Sequence, residues 1–391
     1  MKYNFDEIID RSGTDALKQE ALLPRWGRDD LIPLWVADMD FATPPFIMET
    51  LQKRCQHPIL GYTNKPDSYY TAIINWVKKR YSWDIERSLI SFTPGIVAGL
   101  AFAIKCFTSP GDKVLVMPPV YHPFFLVTKN EDREVIFCPL ILKDRQYHID
   151  FERFEEQVKN CKVFILCNPH NPGGRVWSAE ELKRIASICA KNKVLVFSDE
   201  IHADLTFPPY HHTPFATVSE EAANNSLIFM SPSKAFNMAG LASSFCIIKN
   251  DSLRRIFKKF TDGSDLAEGH IFAFRSVEAA YNYGEEWLSQ VLEYLQENIN
   301  YTDRYLKEKM PRIKAIIPQA SYLIFLDCRE LHLSPKTLVD FFVDKAHLAL
   351  NDGSMFGKEG EGFMRINIAC PRIILTKALR QLENAYHNTF E

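Results

Sequence analysis

The chain of 391 residues is 46% hydrophobic and 24% charged, which allows two or so domains around a buried core and excludes wholesale disorder, collagen and coiled coil. Its 46 Lys and Arg stand against 49 Asp and Glu, a net charge of -3, so no basic field is available to hold a nucleic-acid backbone. Nine cysteines from Cys55 to Cys370 contain no C-x-x-C pair, so neither a zinc ribbon nor any other metal site nor a disulfide framework is expected, and a reducing cytoplasm is the simplest setting.

The opening MKYNFDEIIDRSG carries acids where a signal peptide would carry an apolar core, and no later stretch approaches the length of a membrane span. A soluble cytoplasmic protein with no membrane partner is expected. Residues 1–45, with Pro24, Pro33, Pro44 and Pro45, are too irregular for a domain of their own and are expected to pack on the smaller of two domains. Between residues 46 and 284 short apolar runs alternate with amphipathic stretches, the pattern of parallel strands joined by crossover helices. KVLVM (113–117), KVFILCN (162–168), KVLVFSD (193–199), SLIFMS (226–231) and SSFCIIK (243–249) read as strands. Ser178 followed by Glu181 predicts a capping box opening a helix whose apolar stripe includes Ile185, Ile188 and Cys189. Beyond residue 284 comes one long helix, Glu285 to Met310, stopped by Pro311. Strand-like AIIPQASYLIFLDC, a helix from Ser334, glycine-rich NDGSMFGKEGEGF, strand-like MRINIAC and a final helix follow. The expected class is α/β, with a large domain over 46–284 built on a mostly parallel sheet flanked by helices and a smaller α/β domain over 285–391. Open folds of this kind bind ligands at the C-terminal edge of the sheet.

The sharpest chemical signal is SPSKAFNMAG (231–240), where Lys234 follows an apolar strand among small and hydroxyl residues. A lysine partly desolvated at a sheet edge has a lowered pKa and attacks carbonyls, so Lys234 is a candidate Schiff-base residue. Taken alone, the same string also reads as a surface loop. Its neighbours decide. LWVADMDFATPP, LGYTNKPDSYY, TPGIVAGL, PPVYHPF, CNPHNPGG, SDEIHADL, SPSKAFNMAGL and FMRINIACPR occur in this order from Ile32 to Arg372. Together they resemble the fold-type I pyridoxal phosphate (PLP) enzymes of the aminotransferase class I/II superfamily. SDEIHADL and WVADMDF narrow the resemblance to the MalY/PatB group of cystathionine β-lyase-like C-S lyases.

The resemblance implies a PLP-dependent transferase-like fold, that of aspartate aminotransferase, with PLP as cofactor. Lys234 would carry the cofactor and then serve as general base. Asp199 would keep the ring nitrogen protonated, and Asn171 would donate to the ring's 3-oxygen. Gly173 stands where many relatives have Thr. His202 is either a second contact to that oxygen or a satisfied polar histidine near the pocket. Gly95, Ile96 and Val97 would set a helix N-terminus against the phosphate, with hydroxyls from Ser231 and Ser233. Ala242 stands where many aminotransferases carry a phosphate-binding arginine, which leaves that charge to neutral donors. Tyr121 would stack on the ring. Tyr62 would cross to the phosphate of a neighbouring subunit, which implies a homodimer. Arg365 would grip the substrate α-carboxylate through a bidentate fork, with the Ala37 backbone beside it. Asp38 and Asp40 could cap, pair or line the entrance. Glu200, on the opposite side of an extended segment from Asp199, reads as structural.

The implied activity is α,β-elimination of L-cystathionine or a related S-substituted cysteine to pyruvate, ammonia and a thiol. An aminotransferase would need the same Lys, Asp and Arg and is the nearest alternative. A PLP-fold regulatory binding protein is the alternative of another class, against which the intact Lys234, Asp199, Asn171 and Arg365 argue.

Overall fold

Seven short strands build the central sheet of the computed structural model, which describes residues 2–391. They are β1 (Ile90–Thr93), β2 (Lys113–Val116), β3 (Glu134–Phe137), β4 (Val163–Cys167), β5 (Leu195–Asp199), β6 (Ser226–Met230) and β7 (Ser244–Ile247), in the order β1-β7-β6-β5-β4-β2-β3. From β2 to β6 all pairings are parallel. Every residue of β4 and β6 is buried, which explains why these strands read as unbroken apolar runs rather than alternating ones.

The run expected over 243–249 forms β7, and it pairs antiparallel with both β6 and β1. Residues 231–243 connect it to β6 with a single 3-10 turn at Ala239–Leu241 and no crossover helix, a connection that suits an antiparallel neighbour. β1 and β3 carry weaker signals, ISFT being half polar and EVIF half exposed at the sheet edge.

Helices cover the sheet. α1 (Ile96–Phe107) follows β1, α2 (Pro123–Asn130) follows β2, and α3 (Ala179–Lys191) follows β4. The capping box of α3 forms as the sequence predicts: Glu181 N donates to Ser178 Oγ at 3.2 Å, and Ser178 N donates to Glu181 Oε2 at 2.7 Å. Leu182, Ile185, Ile188 and Cys189 are its buried face. α4 (Glu285–Lys309) carries Glu285 and Glu286 in its first turn and Lys307 and Lys309 in its last, each sign facing the favourable end of the helix dipole.

A second, antiparallel sheet follows, with β8 (Lys314–Ile316), β9 (Leu323–Asp327), β10 (Asn351–Asp352) and β11 (Phe363–Asn367) in the order β8-β9-β11-β10; α5 (Arg372–Phe390) closes the chain. The single run AIIPQASYLIFLDC divides into β8 and β9. The bend between them is tied to the large sheet's loop, because Gln319 N and Ala320 N both donate to Gly174 O. Gly174 has φ +65°, and a Cβ there would sit 2.4 Å from Pro318 Cβ, so only glycine allows this approach.

Near the N-terminus, Ile32–Pro33 pairs in parallel with Leu348–Ala349. Asn367 N donates to Leu34 O at 2.9 Å, and Asn367 Nδ2 donates to Val36 O and Asp38 O at 2.6 Å each. Residues 34–38 therefore run beside β11 and deliver Ala37 to the edge of the large sheet. Among the described residues no helix is long and apolar enough to cross a membrane.

Candidate active site

The parallel register sets Cys167 opposite Asp199 and Asp199 opposite Phe229, so β4, β5 and β6 end level and their following loops meet. There they enclose a cavity of about 120 Å³. Ala37, Ile96, Val97, Tyr121, Asn171, Asp199, His202 and Lys234 line it, joined by Cys167 and Ile201.

Lys234 Nζ donates to Ala37 O at 2.6 Å, and the Tyr322 hydroxyl donates to the same carbonyl at 2.9 Å. Burial brings the amine down to about 8, against the pull of Asp38 and Asp199. A substantial fraction of neutral amine near physiological pH makes it a nucleophile or base. Asp199 ends β5, with Oδ1 accepting from Ile201 N at 3.1 Å. Burial pushes its carboxyl up to about 7, opposed by the Ile201 amide. Among the described residues it has no ion-pair partner, so it is a buried acid waiting for a proton or a cation.

His202 is buried with Nδ1 unpartnered, and burial, then Lys234 and Arg365, lower it to about 3, so the ring is neutral. Asn171 Oδ1 accepts from Arg365 Nη1 at 3.0 Å, and among the described residues its amide nitrogen makes no hydrogen bond. Arg365 sits in β11 opposite Phe325 and Asn351. Its Nη2 donates to Trp35 O at 3.2 Å, its Nε is buried and unpartnered, and its guanidinium lies 4.8 Å over the Phe356 ring. Burial lowers it to about 10, and no carboxylate among the described residues pairs with it.

Gly95 precedes α1, whose first two residues, Ile96 and Val97, line the cavity and have amides without intrahelical partners. Tyr121 lies between β2 and α2 at the cavity wall. At Gly173 any side chain would collide with Tyr147, whose Cδ2 lies 2.4 Å from the Cβ position, so the threonine of many relatives has no room here.

Ser231 and Ser233 lie beside Lys234 and are not among the residues lining the cavity. Ser231 Oγ donates to Ser243 O at 2.5 Å and the two hydroxyls are 2.7 Å apart. Ala242 adopts a left-handed φ of 46°, and the adjacent Ser243 has a buried, unpartnered hydroxyl. Tyr62 is not brought to the cluster. It stands fully exposed with Ile59 and Leu60 on the segment before the helix Asp67–Tyr81.

Asp38 and Asp40 form pairs: Arg11 reaches Asp38 at 2.7 Å, and the buried Lys18 reaches Asp40 at 2.8 Å. Glu200 faces away from the cavity and accepts from Ser198 Oγ, His212 Nε2 and Phe215 N at 2.7–2.9 Å. Sequence reasoning missed Cys167, Ile201 and Tyr322. The first two lie inside the motif strings CNPHNPGG and SDEIHADL, whereas Tyr322 sits in an apolar strand run that gives no hint of a polar task.

Fold and site together define an α/β protein built to hold a small ligand against a buried lysine and a buried aspartate. Residues 29–382 match the family described as aminotransferase class I and II. The cystathionine β-lyase PatB of Bacillus subtilis is 40% identical over 384 residues, 98% of this chain and 99% of that protein. A PLP-bound putative aminotransferase from Clostridium difficile has a TM-score of 0.97 at 40% identity, covering 98% of this chain and 100% of that one. The PLP-bound C-S lyase from Staphylococcus hominis has a TM-score of 0.92 at 36% identity, covering 99% and 98%. The chain belongs to the aminotransferase class I and II family.

Proposed function

We propose that the protein is a PLP-dependent carbon–sulfur β-lyase that converts L-cystathionine or related S-substituted cysteines to pyruvate, ammonia and a thiol. The observation that carries this reading is one cavity holding a buried amine lowered to about 8 and a buried carboxyl with no cation partner, in a chain similar from end to end to a cystathionine β-lyase. Those groups fit the cofactor. Lys234 suits its aldehyde, Asp199 its ring nitrogen, and the Asn171 amide its 3-oxygen, with the neutral His202 in reach of the same cavity. The free amides of Ile96 and Val97 after Gly95 suit its phosphate, with Ser231, Ser233 and Ser243 close by. Tyr121 offers a flat apolar face to the ring.

When bound, PLP supplies an electrophilic carbon and an electron-withdrawing ring that spreads negative charge from the substrate's α-carbon. Asp199 holds a proton at the ring nitrogen, which keeps that ring electron-poor. Arg365 binds the substrate α-carboxylate through its free donors and fixes the α-C–H bond toward Lys234. Lys234 Nζ takes the α-proton, and the backbone carbonyl of Ala37 orients that nitrogen without adding a negative charge. Loss of the β-thiolate completes the elimination.

Tyr62, exposed in its own chain, supports a homodimer in which its hydroxyl reaches the partner's phosphate. Nine free cysteines support a reducing cytoplasm. We read residues 46–284 as the cofactor domain and 285–391 as the small domain, with residues 1–45 attached to the latter through the Ile32–Pro33 pairing. The deciding experiment supplies the PLP-loaded protein with L-cystathionine and no keto acid. Equal amounts of thiol and pyruvate are expected; product that appears only on adding a keto acid would make the protein an aminotransferase.

A further inference from the structure

Across Trp35 from Arg365 lies a second guanidinium that no carboxylate pairs with among the described residues. Arg25, at the end of the short helix Leu22–Trp26, is exposed, and its guanidinium lies 4.7 Å from the Trp35 ring and 5.3 Å from the Trp26 ring. The two indoles meet edge to face at 80°. Trp35 is itself pinned, its Nε1 donating to Lys18 O at 3.0 Å and its carbonyl accepting from Asn351 Nδ2 at 2.9 Å. An arginine whose faces are taken up by rigid aromatic rings keeps its in-plane N–H donors free. The one side-chain contact of those donors is Nη2 to Met355 Sδ at 3.9 Å, and among the described residues no carboxylate pairs with Arg25.

Its position relative to Arg365 gives this free cation a use. Arg365 Nη2 bonds the carbonyl of Trp35, while Arg25 lies over the ring of Trp35, so the two guanidiniums flank a single residue. His122 lies within electrostatic reach of both guanidiniums. Its ring is 6.3 Å from Phe356, which lies beneath Arg365 and follows Met355 in the chain. His122 Nδ1 is buried without a partner among the described residues, and burial, then Arg365 and Arg25, lower the pKa of the ring. Three nearby acids are matched elsewhere: Asp30 to Arg28, Asp38 to Arg11 and Asp40 to Lys18.

We propose that Arg25 is a specificity-determining residue that receives an anionic group at the far end of the substrate's S-substituent. The preferred substrates are then cysteine thioethers whose leaving thiol carries a carboxylate, and S-alkyl cysteines are poorer ones. This rests on the lyase reading above. A cysteine thioether fixed by its α-carboxylate at Arg365 and by its α-carbon at Lys234 can reach Arg25 only through the group on sulfur.

The test is a matched pair of substrates that differ only in charge, S-(2-carboxyethyl)-L-cysteine and its amide S-(2-carbamoylethyl)-L-cysteine, given to the PLP-loaded enzyme. The wild-type kcat/KM is expected to favour the acid by about tenfold, the scale of a charge-assisted contact at a partly exposed site. Arg25→Gln is expected to bring that ratio near one through KM for the acid, and Arg25→Lys to restore part of it. A wild-type ratio near one, or a ratio unchanged in Arg25→Gln, would overturn the assignment. Equal loss on both substrates would also do so, since it would make Arg25 a packing residue of the N-terminal segment. Wild-type turnover of the amide alone establishes the lyase reading whatever Arg25 does, whereas turnover of neither substrate removes both proposals together.

Discussion

Lys234 Nζ is held by the carbonyl of Ala37, 2.6 Å away and 197 residues distant in the chain. The choice of acceptor has a chemical result. A carboxylate in that place would hold the amine protonated, whereas a neutral carbonyl orients it and lets burial set its pKa near 8.

The cofactor-free protein should therefore capture PLP faster as pH rises, with a midpoint near 8, because only the unprotonated amine attacks the aldehyde. Stopped-flow absorbance across a pH series measures this. Borohydride should fix the label to Lys234, and Lys234→Ala should abolish it; a midpoint in the range of exposed lysines would contradict the geometry.

Asp199→Asn should keep the fold and lower lyase turnover by about a hundredfold, the rate equivalent of roughly 3 kcal/mol of transition-state stabilisation. Its effect on the cofactor-free fold has the opposite sign. The folded carboxyl titrates near 7, above its ordinary value, so its contribution to stability is complete below the usual carboxylate range and is lost as pH rises toward 7. Thermal melts of the cofactor-free variant should match the parent in acid and exceed it in mild alkali.

Arg365→Lys retains a charge but loses the planar fork that engages Asn171 and Trp35. We expect KM to rise roughly ten- to a hundredfold with a smaller change in kcat. A pure kcat loss in steady-state kinetics would place Arg365 outside carboxylate binding.

Tyr62→Ala should be severely impaired although its ring touches nothing in its own cavity. Mixing it with inactive Lys234→Ala chains should restore partial activity, since one site of each hybrid dimer then holds both native residues. Verified hybrids that stay inactive would show that Tyr62 acts within its own subunit.

Much of this molecule is legible in its sequence where the cause is local. The α3 capping box and the buried runs of β4 and β6 follow from caps and side-chain pattern over a few residues. The cavity residues Lys234, Asp199 and Asn171 are found because each sits in a recognisable string at a strand end. Features fixed by distant contacts are silent. Lys18 reads as a surface lysine until Asp38 and Asp40 fold against it. The antiparallel direction of β7 shows only in its pairing with β1 and β6, and Arg25 acquires its meaning only when Trp35 is seen between it and Arg365.

The pairing of Ile32–Pro33 with Leu348–Ala349, and of Leu34 with Asn367, sets an order on synthesis. Ala37 is made long before residues 348–367, yet the segment that carries it has no docking edge until those residues have left the ribosome. A nascent chain can build the parallel core around Asp199 and expose Lys234 while the carbonyl that aims the amine is still unplaced. Completion of the site thus waits on residues 348–367, and the segment around Ala37 settles long after it is made.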